Sequence, residues 1–379
     1  MNSNSQLTRR HLLRTALGAA ALSALPARAA GSGSRALVCI YLFGGIDSNN
    51  VLVPMAQYDA YASARGALAI PKDSLVQVTS GLDQTVYGFH PSLAGVAGLF
   101  SRNALAVAGN VGSAAPPTTP DPYLSYFPPG YAVPGWAARM AGVTEGNRNG
   151  LFASFPALLP GPNATTGLSL VAPGISASAG LQSAAQQVAS GASSLVGRTF
   201  PATGLGQQLA QAAELIKAGA SLGMECQVFL CSLSGPGILA DPLAQQAAML
   251  QQLNDAMTAF YSATLDMGLS GNVTTYTDTE FSRTLQTGED GSTPPAWGSH
   301  QLVMGGSVLG GSVYGGFGPS TAIAQPRGSK TQLAWSGVNT KRNYLATLGR
   351  WSGLSNAEIL EYLGGPAGDL QTLGFMVTG

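Results

Sequence analysis

The chain has 379 residues, a formal net charge of zero and only 9% charged residues, against roughly 25% in an average soluble domain. Because the chain has no excess of lysine and arginine to neutralise phosphates, we do not expect nucleic acid as a partner. The apolar fraction of 45% is ample for a large core, and a sparsely charged surface suits a protein of the cell envelope or extracellular space.

The first 30 residues are predicted to be an export signal. Arg9 and Arg10 precede a modest apolar segment at 15–25, and Ala-Arg-Ala at 27–29 has the pattern of a cleavage site. Paired arginines before a weakly apolar segment resemble a twin-arginine signal, so we expect export to the periplasm or beyond. No other run reaches the roughly 20 apolar residues of a membrane span, so none is expected after signal cleavage.

An unbroken apolar run at 36–43 follows and predicts a strand buried on both faces, which is typical of a parallel sheet. Gly44 and Gly45 end the run and allow a sharp turn. Asp47 comes next, just after the predicted carboxyl end of this strand. An α/β enzyme places catalytic or metal-binding groups at such a position. Asp47 is equally compatible with a turn or helix cap, because such side chains satisfy local backbone donors. This stretch leaves both interpretations open.

Strand and helix patterns alternate along the chain that follows. Apolar runs predict strands at 104–111, 227–233 and 273–281, with short later strands at 301–304 and 312–314. Helical spacing of apolar residues predicts helices at 58–68, 91–102, 206–222, 242–269, 341–351 and 356–363. A region dense in Pro, Gly, Ser and Ala predicts an irregular excursion over the sheet at about 112–205. The alternation predicts a three-layer α/β/α sandwich with a mainly parallel sheet, as a single domain over 31–379.

Cysteine and histidine are scarce. The chain has three cysteines, Cys39, Cys226 and Cys231, and this odd number excludes a full disulfide framework. We expect them to be buried thiols. After signal removal His90 and His300 are the two remaining histidines, too few for a multi-histidine metal centre. His90 precedes a predicted helix and is expected to fix its start.

Seven sequence features occur in the order found in one known family. They are the export signal and the motifs at 43–50, 89–93, 110–112 with 117–119, 227–229, 280–284, and 297–300 with 303–306. By these motifs, nearly the whole chain resembles the bacterial domain of unknown function 1501, which is similar in fold to alkaline phosphatases and sulfatases. The resemblance implies an alkaline-phosphatase-like α/β/α fold and suggests metal-assisted hydrolysis of a phosphate or sulfate ester.

Most of the metal ligands that the resemblance implies are missing from this sequence. Asp47 matches the family's first carboxylate. Gly237 and Leu239 stand where the family has the aspartate and histidine of G-G-F-D-T-H, and Pro294 and Pro295 replace the first two residues of D-H-G-W-G. Proline and leucine offer no side-chain donor to a divalent metal, so we expect no cofactor and regard Asp47 as a remnant ligand.

These losses favour an exported, catalytically degenerate family member that acts as a binding or structural component with a protein or glycan partner. The alternative is a metal-assisted phosphate- or sulfate-ester hydrolase with a reduced or relocated site, so enzyme activity is left open. Candidate residues for that site are Asp47, Asn50, Thr118, Thr119, Glu280, Arg283 and His300.

Each candidate also has a structural interpretation. For Glu280 and Arg283 we favour an ion pair that holds a strand to a loop. For Thr118 and Thr119 we favour a role in the turns formed beside the neighbouring prolines. A third hypothesis places a single cation at Asp47, with asparagine and backbone oxygens as further ligands.

Overall fold

The computed structural model describes residues 34–112, 150–154, 169–171, 197–221, 224–234, 242–279, 281–287, 293–296, 298–315, 322–327, 330–335, 339–363 and 370–377. The predicted export signal and most of the predicted excursion lie outside these residues. So do Thr118, Thr119, Gly237, Leu239 and Glu280.

Strands and helices alternate along this part of the chain. The strands are β1 (Arg35–Phe43), β2 (Leu52–Pro54), β3 (Val76–Thr79), β4 (Val86–Phe89), β5 (Leu105–Gly112), β6 (Gly150–Ser154), β7 (Ser169–Val171), β8 (Cys226–Ser234), β9 (Val273–Thr279), β10 (Ser282–Arg283), β11 (Pro295–Ala296), β12 (Ser299–Gly305), β13 (Val313–Tyr314), β14 (Ala322–Arg327), β15 (Lys330–Trp335) and β16 (Asn339–Thr340). The helices are α1 (Tyr58–Arg65), α2 (Ala94–Ser101), α3 (Gly204–Ser221), α4 (Pro242–Asp266), α5 (Lys341–Ser352) and α6 (Asn356–Leu363). The predicted helices and main strands are confirmed to within a few residues at their ends.

Among the described residues, the largest sheet has nine strands in the order β13-β5-β12-β9-β1-β8-β6-β7, with β16 also paired to β5. β1 lies between β8 and β9 and is parallel to both. β6 is parallel to β8, and β13 and β16 are parallel to β5. The antiparallel members are β12, between β5 and β9, and β7, beside β6. The predicted mainly parallel sheet is confirmed.

Helices cover both faces of this sheet. Side chains alternate along β1, so that Val38, Ile40 and Leu42 join one core cluster, with α2, α3 and α4. Leu37, Cys39 and Tyr41 join the other, with α5 and α6. Because both faces are covered, β1 reads as a continuous apolar run, and the predicted three-layer sandwich is confirmed. All three cysteines are buried, as expected.

Three features differ from the sequence pattern. β6 and β7 pair in the central sheet although they lie inside the predicted excursion, because strands of five and three residues are too short to show periodicity. A small antiparallel sheet, β2-β4-β3, follows the turn after β1. The fourth predicted strand ends at Thr279, and the chain then forms the two-stranded β10–β11 pair. Within the described residues, no helix has the length and apolarity needed to cross a membrane.

The turn after β1 is tightest at Gly45. This residue has φ +77°, and a Cβ atom built on it would lie 2.2 Å from a ring carbon of Phe281. We expect Gly45→Ala to lower the free energy of unfolding by about 2 kcal/mol, because the new methyl group adds left-handed strain and displaces the Phe281 ring. Urea denaturation measures the change. The control is Gly271→Ala, where an added Cβ meets nothing within 4 Å; equal losses in the two variants would contradict the prediction.

Candidate functional site

Several candidate residues meet at one edge of the central sheet. β1 and β9 are parallel, and β5 has the same direction because both β5 and β9 are antiparallel to β12. The carboxyl ends of these three strands therefore share an edge with the start of β12. Asp47 follows β1, Asn110 lies near the end of β5, Ser282 and Arg283 follow β9, and His300 lies at the start of β12. We use the name edge cluster for Asp47, Ser48, Asn49, Arg65, His90, Asn110, Ser282, Arg283 and His300.

Asp47 forms an ion pair with Arg65. Arg65 Nη2 lies 2.5 Å from Asp47 Oδ2, and the two side chains are 0% and 11% exposed. The second oxygen, Asp47 Oδ1, accepts hydrogen bonds from Asn49 Nδ2 at 2.5 Å and from the Asn49 backbone N–H at 3.3 Å. Asp47 thus caps the turn Ser48–Asn50, which is one of the two interpretations that the sequence left open. Both carboxylate oxygens are engaged by protein donors.

Arg65 also holds a second segment of the chain. Its Nη1 donates to the carbonyl oxygens of Thr284 at 3.1 Å and Leu285 at 3.0 Å. Helix α1 is thereby tied both to the Asp47 turn and to the segment after β9. Sequence reasoning missed Arg65, because an arginine in the last turn of a short surface helix carries no signal of its distant partners.

Arg283 contacts backbone oxygens in the described residues. Its Nη1 donates to the Thr293 carbonyl at 2.8 Å and its Nη2 to the Gly44 carbonyl at 2.6 Å. The guanidinium group also lies 5.0 Å from the centroid of the Phe281 ring. Arg283 therefore ties the turn after β1 to the β10–β11 segment. Its predicted ion pair with Glu280 stays a prediction.

Pro294 and Pro295, at two predicted lost-ligand positions, help to build this β10–β11 segment. The Pro294 carbonyl accepts a hydrogen bond from the Thr284 N–H at 2.9 Å, and Pro295 lies opposite Arg283 in the antiparallel pair. Asn50, a further candidate, is buried: its Nδ2 donates to the Leu68 carbonyl, and its Oδ1 accepts from the Tyr61 hydroxyl at 2.7 Å. These contacts are structural.

His300 lies against an irregularity in β5. The pairing register between β12 and β5 shifts at Ser299–Gln301, and Asn110 there has a left-handed φ of 57°. The His300 ring accepts a hydrogen bond at Nδ1 from the Asn110 N–H at 3.1 Å, so the ring proton resides on Nε2. The His300 backbone N–H donates to Ser48 Oγ at 3.1 Å, which links β12 to the Asp47 turn. Burial lowers the pKa of His300 to about 3, so the ring is neutral near pH 7.

His90 is a second buried, neutral histidine. Its Nδ1 accepts a hydrogen bond from the Ser92 N–H at 3.1 Å and caps the turn Pro91–Leu93, as predicted. Burial lowers the pKa of His90 to about 4, and the negative charge of Asp47 opposes part of that shift. The edge cluster therefore brings Asp47, Arg283 and His300 together, but each of the three side chains has its own protein partners.

A divalent metal does not fit at Asp47 in this arrangement. A guanidinium cation occupies one carboxylate oxygen and amide donors occupy the other. Across the described residues, no group of three or more His, Cys, Asp or Glu side chains is arranged to hold a metal ion. The interpretation of Asp47 as a remnant ligand stays a prediction.

A second buried ion pair lies near the same sheet edge. Lys341 Nζ is 2.8 Å from Asp278 Oδ1, with the two side chains 9% and 4% exposed. Lys341 Nζ also donates to the Thr279 carbonyl at 3.3 Å and lies 5.9 Å from the Tyr41 ring centroid. Burial raises the pKa of Asp278, and the Lys341 charge opposes that shift. Sequence reasoning missed this pair, although a lone carboxylate inside the buried strand β9 was a signal for a buried counter-ion.

The two buried histidines predict a loss of stability in acid. The pKa of an unfolded histidine is about 6.5, and burial lowers the pKa to about 4 for His90 and about 3 for His300. Between these values the unfolded chain binds protons that the folded chain does not. The free energy of unfolding should therefore be highest above pH 6.5 and fall as the pH drops towards 4, by up to about 1.4 kcal/mol per pH unit for each histidine.

Urea denaturation at about pH 7 and about pH 5 measures this loss. The matched variant is His90→Asn, whose side-chain oxygen still accepts from the Ser92 N–H but does not titrate. The free energy of unfolding of this variant should change less steeply with pH than that of the wild type, by an amount that corresponds to nearly one proton. An unchanged slope would contradict the assignment of acid lability to His90.

Comparisons with known proteins leave the family open. No protein-family model matches the chain, and no curated protein sequence matches it. Among solved structures, the chain is similar to the lipoteichoic acid synthase LtaP from Listeria monocytogenes, with 9% sequence identity, coverage of 91% of this chain and 76% of that chain, and a TM-score of 0.38. This likeness is too weak to assign a family or an activity, so the resemblance to domain of unknown function 1501 stays a prediction.

Proposed function

We propose that this chain is an exported binding or structural protein built on an α/β/α scaffold, and that it has lost metal-dependent ester hydrolysis. One observation supports the loss above all others. Asp47, the single matching carboxylate among the ligand positions implied by the resemblance, is neutralised by the buried guanidinium of Arg65. Arg65 and Asn49 supply three of the roughly four hydrogen bonds that a carboxylate accepts, and the positive charge of Arg65 would repel a metal cation bound beside it.

The neighbouring contacts support the same interpretation. Arg283 donates to the Thr293 and Gly44 carbonyls, and His300 accepts the Asn110 N–H, so both side chains contribute to the fold. A hydrolase would instead need such groups directed at a substrate, with a nucleophile beside a general base. The sparsely charged composition of the chain suits contact with a protein or a glycan. Export is supported by the paired arginines of the N-terminal sequence.

The test uses mature protein recovered after export. We expect elemental analysis to find less than one equivalent of zinc, manganese, calcium or magnesium in total. We expect no hydrolysis of phosphate or sulfate esters above that of Asp47→Asn, with each metal supplied in turn. Stoichiometric metal, together with an activity that folded Asp47→Asn lacks, would refute the proposal.

One observation favours the hydrolase alternative. Asn110 adopts a left-handed conformation beside His300 at the carboxyl edge of the sheet, and backbone strain in non-glycine residues concentrates at functional sites. The ester panel should therefore include Asn110→Gly, which relieves the strain without changing the His300 contact to the backbone N–H. Activity that Asn110→Gly lowers without unfolding the protein would favour this alternative.

A further inference from the structure

Three buried polar atoms of the edge cluster have no hydrogen-bond partner among the described residues. They are Asn49 Oδ1, Arg65 Nε and Ser282 Oγ. Asn49 is 1% exposed, Ser282 is 0% exposed, and the Arg65 side chain is 0% exposed. An unpartnered buried polar atom costs about 1–3 kcal/mol, so three in one cluster call for a ligand.

The three side chains border the same small region. Asn49 Nδ2 and Arg65 Nη1 both donate to the Thr284 carbonyl, at 3.4 Å and 3.1 Å. Both side chains also bind the carboxylate of Asp47. Ser282 directly precedes Arg283, whose carbonyl accepts from Asn49 Nδ2 at 3.0 Å. The side chains of Asn49 and Arg65 thus meet between the Asp47 turn and the β10–β11 segment, and Ser282 lies at the start of that segment.

The chemistry of the three atoms selects the ligand. Arg65 Nε is a donor, Asn49 Oδ1 is an acceptor and the Ser282 hydroxyl can act as either. A metal cation would face the Arg65 guanidinium, and an anion would face both Asn49 Oδ1 and the Asp47 carboxylate. Water has two protons and two lone pairs, and a buried water molecule typically makes about three hydrogen bonds.

We propose that one ordered water molecule binds in the edge cluster, accepting from Arg65 Nε, donating to Asn49 Oδ1 and hydrogen bonding to Ser282 Oγ. It completes the hydrogen bonding of the residues that surround the Asp47–Arg65 pair. It also joins the turn after β1 to the segment after β9. This site does not depend on whether the protein is a hydrolase.

A crystal structure of the mature protein that shows ordered solvent tests the site directly. We expect a solvent peak within about 3.2 Å of Asn49 Oδ1 and of at least one of the other two atoms. No peak there, or direct protein partners for all three atoms, would overturn the proposal.

A pair of variants tests the site in solution. Ser282→Ala removes one partner of the water, so we expect the folding equilibrium constant to fall about five-fold, or about 1 kcal/mol. The control is Ser74→Ala, because the Ser74 hydroxyl is exposed and water can replace its contact with the Pro71 carbonyl. Its removal should leave the folding equilibrium constant within about two-fold. A neutral or stabilising Ser282→Ala change would overturn the proposal.

Discussion

Replacing Arg65 by alanine is expected to lower the free energy of unfolding by about 3–5 kcal/mol, the range typical for removal of one partner of a buried ion pair. The Arg65 side chain is 0% exposed, so water cannot take its place at Asp47 without entering the protein. The substitution also leaves the Thr284 and Leu285 carbonyls without their guanidinium donor. Urea or thermal denaturation followed by circular dichroism measures the loss.

The matched control for this change is Arg198→Ala. Arg198 pairs with Asp266, but the two side chains are 44% and 51% exposed. Water and salt screen this pair, so its removal should change stability little. If Arg65→Ala and Arg198→Ala had similar effects, Asp47 would not depend on Arg65 as its counter-ion.

A loss of similar size is expected for Lys341→Met, about 3–5 kcal/mol near neutral pH. Methionine matches the four-atom apolar stem of lysine but leaves the carboxylate of Asp278 buried without its cation. The double variant Asp278→Asn/Lys341→Met removes both charges, and we expect it to regain much of the stability lost in Lys341→Met, because no unpaired charge remains. Unfolding of the wild type, the two single variants and the double variant gives the coupling energy of the pair.

The pH dependence of stability distinguishes loss of the ion pair from loss of packing as the cause of the effect of Lys341→Met. Burial already raises the pKa of Asp278, and removal of Lys341 takes away the charge that opposes that shift. In Lys341→Met the carboxyl group should therefore protonate at higher pH than in the wild type. The stability difference between the two proteins should be largest above that pKa and shrink as the pH falls through it. A difference independent of pH would indicate that lost packing causes the effect.

Sequence patterns predicted most of the strands and helices, because side-chain periodicity and capping hydrogen bonds depend only on residues close together in the chain. The apolar run at 36–43 predicts a strand covered on both faces, and that strand is β1. Asp47 and His90 both cap the turns that follow them, as residues of their type do in many proteins. The strands β6 and β7 escaped prediction because a few residues show no period, and they gain their stability from neighbours in the sheet.

The candidate site was less predictable from residue types. Asp47 and His300 meet at one sheet edge, which the sequence had left open, and they are linked through Ser48. Their side chains, however, have separate partners, and both Arg65 and Lys341 were absent from every sequence-based hypothesis. An arginine or lysine on a helix shows no local sign of which carboxylate it faces.

The sequence by itself thus determined the alternation of strands and helices, the burial of β1 on both faces and the turn capped by His90. Each of these follows from side-chain periodicity or from hydrogen bonds within a few residues. The tertiary structure alone decided that Arg65 meets Asp47 and that Lys341 meets Asp278. Such pairings follow from the order of strands in the sheet and from the packing of helices on its faces. That arrangement is stabilised by the burial of many apolar side chains at once. The sequence around a single charged residue therefore does not indicate which partner that residue meets.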